Sequence, residues 1–236
     1  MAPAVTVSVR LFGMTKSLAN NQHTLHVTLN GTHRVGDLVA QLHADHPAIG
    51  ELLLKKKVVV SVNQDVAADD MELNTGDEIA LLPPFAGGSG VATDEESMLV
   101  RVQRDDFSID AELARVRRRS TRIGGIAMFL GTARDRSKGR DVSGITFEHY
   151  EGMAQKKLRE IRERALKDFD IIELLVLHRY GPIEIGENIV LIIAGAEHRA
   201  DAFKACKWAI DELKQITPIW KLEQTTQGEV WVEEHP

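Results

Sequence analysis

The sequence predicts an α+β protein built as two domains, and three features carry that reading. Apolar and polar residues alternate with period two in the first 82 positions, around one helical stripe. A run of small and acidic residues near position 90 breaks all periodicity. Beyond it, helical stripes and short apolar runs alternate again. At 236 residues the chain has room for two modest hydrophobic cores.

Val5, Val7, Val9 and Leu11 alternate with Thr6, Ser8 and Arg10, the mark of a half-buried strand, and Leu25, Val27 and Leu29 repeat it. Val35, Leu38, Val39 and Leu42 fall at i, i+3, i+4 and i+7, which predicts an amphipathic helix with Pro47 just beyond its end. Residues 58–62 are a β-branched run closed by Asn63-Gln64-Asp65, and residues 78–82 an apolar run closed by Pro83-Pro84. The expected order is strand, strand, helix, strand, strand.

Residues 89–97 carry small and acidic side chains without periodicity and are expected to be a linker. Fully extended, it would span up to roughly 30 Å. The second half is expected to open with a short strand near Val100 and a helix capped by Ser108, with Asp110 and Glu112 near the positive end of its dipole. A strand with internal glycines over 123–130 runs into a loop, 131–140, that concentrates Arg134, Arg136, Lys138 and Arg140. A helix from about 154 to 169, strands over 171–177 and 188–196, and a helix from about 200 to 214 complete the prediction. The last helix has Phe203, Cys206, Ile210 and Leu213 as its apolar stripe, and Thr217-Pro218 stops it.

Composition narrows the function classes. With 43% hydrophobic and 27% charged residues the chain is neither collagen-like nor low-complexity, and no apolar run approaches the ~20 residues of a spanning helix. A net charge of −6 argues against a nucleic-acid-coating protein. Cys206 is the single cysteine, which excludes an intrachain disulfide and a four-cysteine zinc site. The histidines at 23, 26, 33, 43 and 46 have no metal-ligand spacing, so no metal is expected. The N-terminal residues lack the basic and apolar regions of a secretion signal, and a cytoplasmic protein is expected.

Some residues invite chemistry. Gly87-Gly88 has no side chains to obstruct entry into a narrow channel, although the dipeptide alone reads more readily as flexible linker. His198-Arg199 stands just before a helix, where unpaired N–H groups and the dipole favour a phosphate; a surface arginine beside a capping histidine is the plainer alternative. Lys214, seven residues after Lys207 and three after Asp211, fits a solvated charged face. Cys206 on an apolar stripe reads as an inert buried thiol, and His149 as structural.

Residues 5–88, with Leu11-Phe12-Gly13, Val60-Ser61-Val62-Asn63-Gln64 and Leu82-Pro83-Pro84-Phe85-Ala86-Gly87-Gly88, resemble the small sulfur-carrier subunit of molybdopterin synthase. Residues 98–235 resemble the large catalytic subunit, through Phe129-Leu130-Gly131-Thr132-Ala133-Arg134-Asp135, Phe147-Glu148-His149-Tyr150-Glu151-Gly152-Met153, Ala196-Glu197-His198-Arg199 and Pro218-Ile219-Trp220-Lys221. The resemblance implies a ubiquitin-like β-grasp sulfur-carrier domain over 1–88, a linker over 89–97 and a catalytic domain over 98–236. It implies conversion of cyclic pyranopterin monophosphate (precursor Z) into the molybdopterin dithiolene, with no permanently bound cofactor. The sulfur donor is then a thiocarboxylate on Gly88, made by a separate ATP-dependent adenylylating and sulfurating enzyme.

The same resemblance places the essential lysine at Lys214, a second lysine at Lys221, an active-site arginine at Arg134, an apolar pocket residue at Phe129, and a substrate-binding pair at His198 and Arg199. Lys214 is expected as general acid/base and Lys221 as electrostatic stabiliser, the crowd of cations lowering the pKa of the less solvated amine. Arg136, Lys138 and Arg140 are expected to be loop charges that help capture substrate. A homodimer through the C-terminal domain is also implied, without nucleic acid or membrane. Here, however, Gly88 is bonded to Ser89, and an amide has no carboxylate oxygen to adenylylate. Proteolysis after Gly88 is therefore expected, by a processing protease. The alternative is a non-catalytic sulfur carrier or protein modifier attached to a docking domain.

Overall fold

The computed structural model describes residues 4–29, 33–82, 98–216 and 218–232. The chain divides into two compact units, residues 1–87 and 88–236.

In the first unit the predicted alternation builds β1 (Val5–Leu11) and β2 (Thr24–Leu29), which pair antiparallel. A short helix, α1 (Met14–Leu18), lies between them. The predicted helical stripe forms α2 (Val35–Asp45), with Val35, Leu38 and Leu42 buried. Pro47 proves to be a start as well as a stop: it opens α3 (Pro47–Leu54), where its missing N–H is no loss. β3 (Val59–Val62), β4 (Asp65–Val66) and β5 (Ile79–Leu82) complete a sheet of order β2-β1-β5-β3-β4. β5 runs parallel to β1 at its centre, and Leu38 and Leu42 of α2 share a core cluster with Ile49 of α3 and with Val9 and Ile79 of the sheet. This is a β-grasp arrangement. Residues 83–97, which include Gly88 and the predicted linker, lie outside the described residues.

The second unit is α+β with two sheets. The four-stranded sheet has the order β6-β10-β12-β7, from β6 (Val100–Gln103), β10 (Glu173–Arg179), β12 (Asn188–Ala196) and β7 (Gly125–Thr132). Its central strands are buried on both faces, which explains why they read as unbroken apolar runs. Leu174, Val176, Ile192 and Ala194 face α5 (Met153–Asp168) and α6 (Arg199–Ile216). Leu175, Leu177, Leu191 and Ile193 face Val116 of α4 (Ile109–Arg117), whose cap is Ser108 as predicted. Asp110 and Glu112 stand in the first turn of α4 as expected, and Glu112 is also buried and bonded by Arg101 and Arg115.

The second sheet was not legible as such. It joins β11 (Gly181–Ile183), β9 (Arg140–His149), β13 (Ile219–Thr225) and β14 (Gly228–Val232), and β8 (Arg136–Ser137) pairs with β9. The expected cationic loop is thus largely a hairpin, turned at Lys138 and Gly139 with φ of 47° and 81°. The apolar stripe of α6 is also corrected. Phe203 is 65% exposed, and Ala202, Ala205 and Ala209 join Cys206, Ile210 and Leu213 on the buried face. Small alanines let the helix lie close on the sheet, which moves the stripe one position away from Phe203. No helix among the described residues is long and apolar enough to cross a membrane.

Leu38, fully buried beneath the first sheet, anchors α2. Leu38→Ala is expected to cost about 2–5 kcal/mol, read as a loss of hydrogen-exchange protection at the β1 and β2 amides.

Candidate active site

A cavity of about 250 Å³ opens in the second unit, and four elements build its working wall. β7 supplies Phe129 and leads to Arg134; β9 supplies Ile145 and Phe147; α6 supplies Ile210, Leu213 and Lys214; β13 supplies Ile219, Lys221 and Glu223. Each set follows from the periodicity of its element. Positions 219, 221 and 223 share one face of a strand, and 210, 213 and 214 share one stripe of a helix. The connection from α6 to β13 is short, and the Pro218 carbonyl accepts the Tyr150 N–H at 3.1 Å, so the chain turns back at once and brings Lys214 and Lys221 to one cavity. Gly131 is required beside it: a Cβ there would stand 2.7 Å from Val190 Cγ1 and press on the Phe129 ring.

The electrostatics centre on Glu223, which is only 1% exposed. Its Oε1 accepts from Lys221 Nζ at 2.8 Å, and Arg140 Nη2 stands 4.0 Å from Oε2. Burial by itself would raise this carboxyl; hydrogen bonds from Lys221 and Ser137, with the charges of Lys221 and Arg140, outweigh it and hold Glu223 below the usual carboxylate range. The cavity therefore carries Arg134, Lys214 and Lys221 against one carboxylate. It can attract an anion while one of its two lysines is already oriented.

Phe129, Arg134, Lys214 and Lys221, expected together, line this one cavity. His198 and Arg199 do not. Both are exposed at the opposite end of α6, and the 15 residues from Arg199 to Lys214 place them about 22 Å apart along the helix. Gly88 lies outside the described residues. Of the expected loop charges, Arg140 is instead drawn toward Glu223 from its strand. Cys206 is buried, and loss of solvent pushes its thiol up to about 11, as an inert core cysteine requires. Glu223 and His178 are the titratable cavity residues that sequence reasoning missed. Glu223 stands two positions after Lys221, a strand-face signal once 219–225 is read as a strand; His178 is the polar residue in the otherwise apolar run 174–178.

Comparison with known proteins follows the same division of the chain. Residues 102–216 match the family model described as MoaE protein, and residues 9–88 match the ThiS family. The molybdopterin synthase catalytic subunit of Pyrococcus abyssi is 45% identical over 129 residues, covering 55% of this chain and 86% of that protein. The catalytic subunit of Ralstonia nicotianae is 43% identical over 134 residues, covering 57% of this chain and 76% of the relative. Among solved structures, molybdopterin synthase from Staphylococcus aureus aligns with a TM-score of 0.53 at 29% identity, over 57% of this chain and 96% of that one.

The lowered pKa of Glu223 fixes the sign of a pH test. Its contribution to stability is complete above the ordinary carboxylate range and is lost as pH falls through the lowered value. Glu223→Gln is expected to destabilise the protein by about 1.5–3 kcal/mol near neutrality, with the gap to wild type closing in acid. Urea unfolding at the two pH values measures this, and an equal gap at both would show that the charge is not its source.

Proposed function

From a chain that belongs to the family of molybdopterin synthase catalytic subunits and carries a ThiS-family domain ahead of it, we infer a molybdopterin synthase with carrier and catalyst encoded as one polypeptide. It is a sulfurtransferase of molybdenum cofactor biosynthesis. The observation that carries its mechanism is the convergence of Arg134, Lys214 and Lys221 on one cavity beside Phe129.

Precursor Z brings a phosphate, and a Gly88 thiocarboxylate brings a second anion. One opposite-charge pair at 4 Å is worth ~1 kcal/mol in water and ~4 kcal/mol at an effective dielectric of 20, so a partly enclosed cationic cavity holds these groups better than an open surface. In the proposed reaction Arg134 takes the phosphate and Phe129 packs against the pterin. The thiocarboxylate sulfur forms a bond to a side-chain carbon of the substrate as the carbon–oxygen bond at that carbon breaks, its electron pair leaving on the oxygen, to which Lys214 supplies a proton. Water then cleaves the acyl–sulfur bond, leaving sulfur on the substrate and a carboxylate on Gly88, and a second charged carrier repeats the transfer. Lys214 serves as proton donor and acceptor, and Lys221, oriented by Glu223, stabilises developing negative charge. The cycle needs a protease that frees Gly88 and an ATP-dependent enzyme that adenylylates and sulfurates it.

His198 and Arg199 enter this scheme only from a second copy of the chain, because α6 holds them about 22 Å from the Lys214 of their own copy. A homodimer through the second domain, each copy lending the pair to its partner's cavity, reconciles the family resemblance with the length of the helix.

Mass spectrometry of the chain from its native cells is expected to find a fragment ending at Gly88 with one oxygen replaced by sulfur; a fully active intact chain would overturn the processing step. Lys214→Ala is expected to lower dithiolene formation about 100-fold or more with the fold retained, and undiminished formation removes Lys214 from the mechanism. Mixing Lys214→Ala with Arg199→Ala chains is expected to restore up to about a quarter of the wild-type sites, since a mixed dimer holds one complete cavity. No recovery after verified subunit exchange would put both residues to work within one copy.

A further inference from the structure

The cavity contains one titratable side chain that the mechanism above leaves unused. His178, on β10, is 4% exposed and forms part of the cavity wall. Its neighbours on the sheet are apolar, Val102 on β6 and Val190 on β12, and its ring meets Phe147 edge-on at 5.1 Å. The charged groups that share its cavity are Arg134, Lys214, Lys221 and Glu223.

The ring's orientation settles its tautomer. Nδ1 lies 2.6 Å from the Arg179 carbonyl oxygen, and a carbonyl can only accept, so Nδ1 carries the hydrogen. In the neutral imidazole Nε2 is then the basic atom.

Acyl–sulfur hydrolysis needs a proton acceptor, and the cavity offers few. Guanidinium groups donate only, and Lys214 is engaged in this half of the reaction as the donor to the departing sulfur. Glu223 already accepts from Lys221 and is held as a carboxylate, which makes it a weak base near neutrality. An imidazole whose Nδ1 carries the hydrogen presents a lone pair on Nε2 that can accept a proton.

We propose that His178 is a catalytic residue of the second half of the reaction, the general base that takes a proton from the water attacking the Gly88 acyl carbon. This rests on the sulfur-transfer reading above. The water oxygen bonds to the acyl carbon, one water proton passes to Nε2, and the carbon–sulfur bond breaks with its electron pair on sulfur. The substrate keeps the sulfur as a thiolate or, after protonation by Lys214, a thiol. Gly88 leaves as a carboxylic acid that ionises. No oxidation or reduction occurs.

The test uses the chain charged in its native cells and followed through a single turnover with precursor Z, the carrier–substrate thioester and the dithiolene both being measured by mass. His178→Asn keeps an N–H donor for the Arg179 carbonyl and removes the basic nitrogen. It is expected to form the thioester within about threefold of the wild-type rate and to hydrolyse it about 100-fold more slowly, so that the thioester accumulates. Hydrolysis within threefold of wild type overturns the proposal, as does an equal loss in both phases with the fold intact, which marks a structural residue. If His178→Asn does not fold, His178→Gln is followed in the same way: selective slowing of the hydrolytic phase supports the base, and hydrolysis within threefold of wild type overturns it. A wild-type chain that is charged yet forms neither thioester nor dithiolene instead defeats the sulfur-transfer reading itself.

Discussion

Burial of β10 and β12 on both faces is the constraint from which the second unit follows. A strand covered on both sides must be apolar at successive positions, and its backbone groups must be satisfied within the sheet. Leu174 to Leu177 and Leu191 to Ala194 meet the first demand, and the neighbouring β6 and β7 meet the second. Such a sheet needs helices on both faces. α4 covers one, and α5 with α6 the other. The alanines of α6 then hold an 18-residue helix straight along the sheet, so its ends stay about 27 Å apart. One end delivers Lys214 to the cavity, and the other carries His198 and Arg199 away from it. The same packing that makes the fold stable splits the expected site.

Within the cavity, a single carboxylate changes the meaning of the cations. Three unpaired positive groups at one site would repel each other and disfavour their own charged forms. Glu223 offsets part of that repulsion by bonding Lys221 directly and drawing Arg140 from the hairpin. Lys221 is thereby fixed in place, which suits its proposed role of meeting developing charge without reorganising. Lys214, on another element, approaches from the helix side. The two lysines therefore have different surroundings although both line one pocket, and a division of labour between them has a structural basis.

Local rules were the legible part of the sequence. The α2 stripe, the Ser108 cap and the alternation in β1 and β2 each depend on residues within a turn or two of one another, and each forms as the pattern predicts. β13 escaped because two of its cavity-facing positions are Lys221 and Glu223, so the usual polar-out alternation is inverted where the strand lines the site. Phe203 misled for a related reason: α6 buries small alanines, and a large apolar residue nearby captured the stripe. The pairing of Arg140 with Glu223 joins residues 83 positions apart, and no local pattern announces it. Family motifs supplied Lys214 and Lys221, for which periodicity alone gave only a charged helix face and no assigned element.

The fusion itself makes a physical demand on the chemistry. Joining a carrier to its catalyst raises the carrier's local concentration, to the millimolar range for a short linker, and favours the first delivery. A dithiolene needs two sulfurs, however, and each chain has one Gly88. A carrier that kept its peptide bond to Ser89 would have no carboxylate to activate, and once spent it would still compete at that high local concentration with the next charged carrier. The proposed cleavage after Gly88 would resolve both problems, since it would create the terminal carboxylate and let spent and charged carriers exchange. On that proposal, synthesis as one chain would supply carrier and catalyst in equal amounts, while turnover would proceed between separated parts.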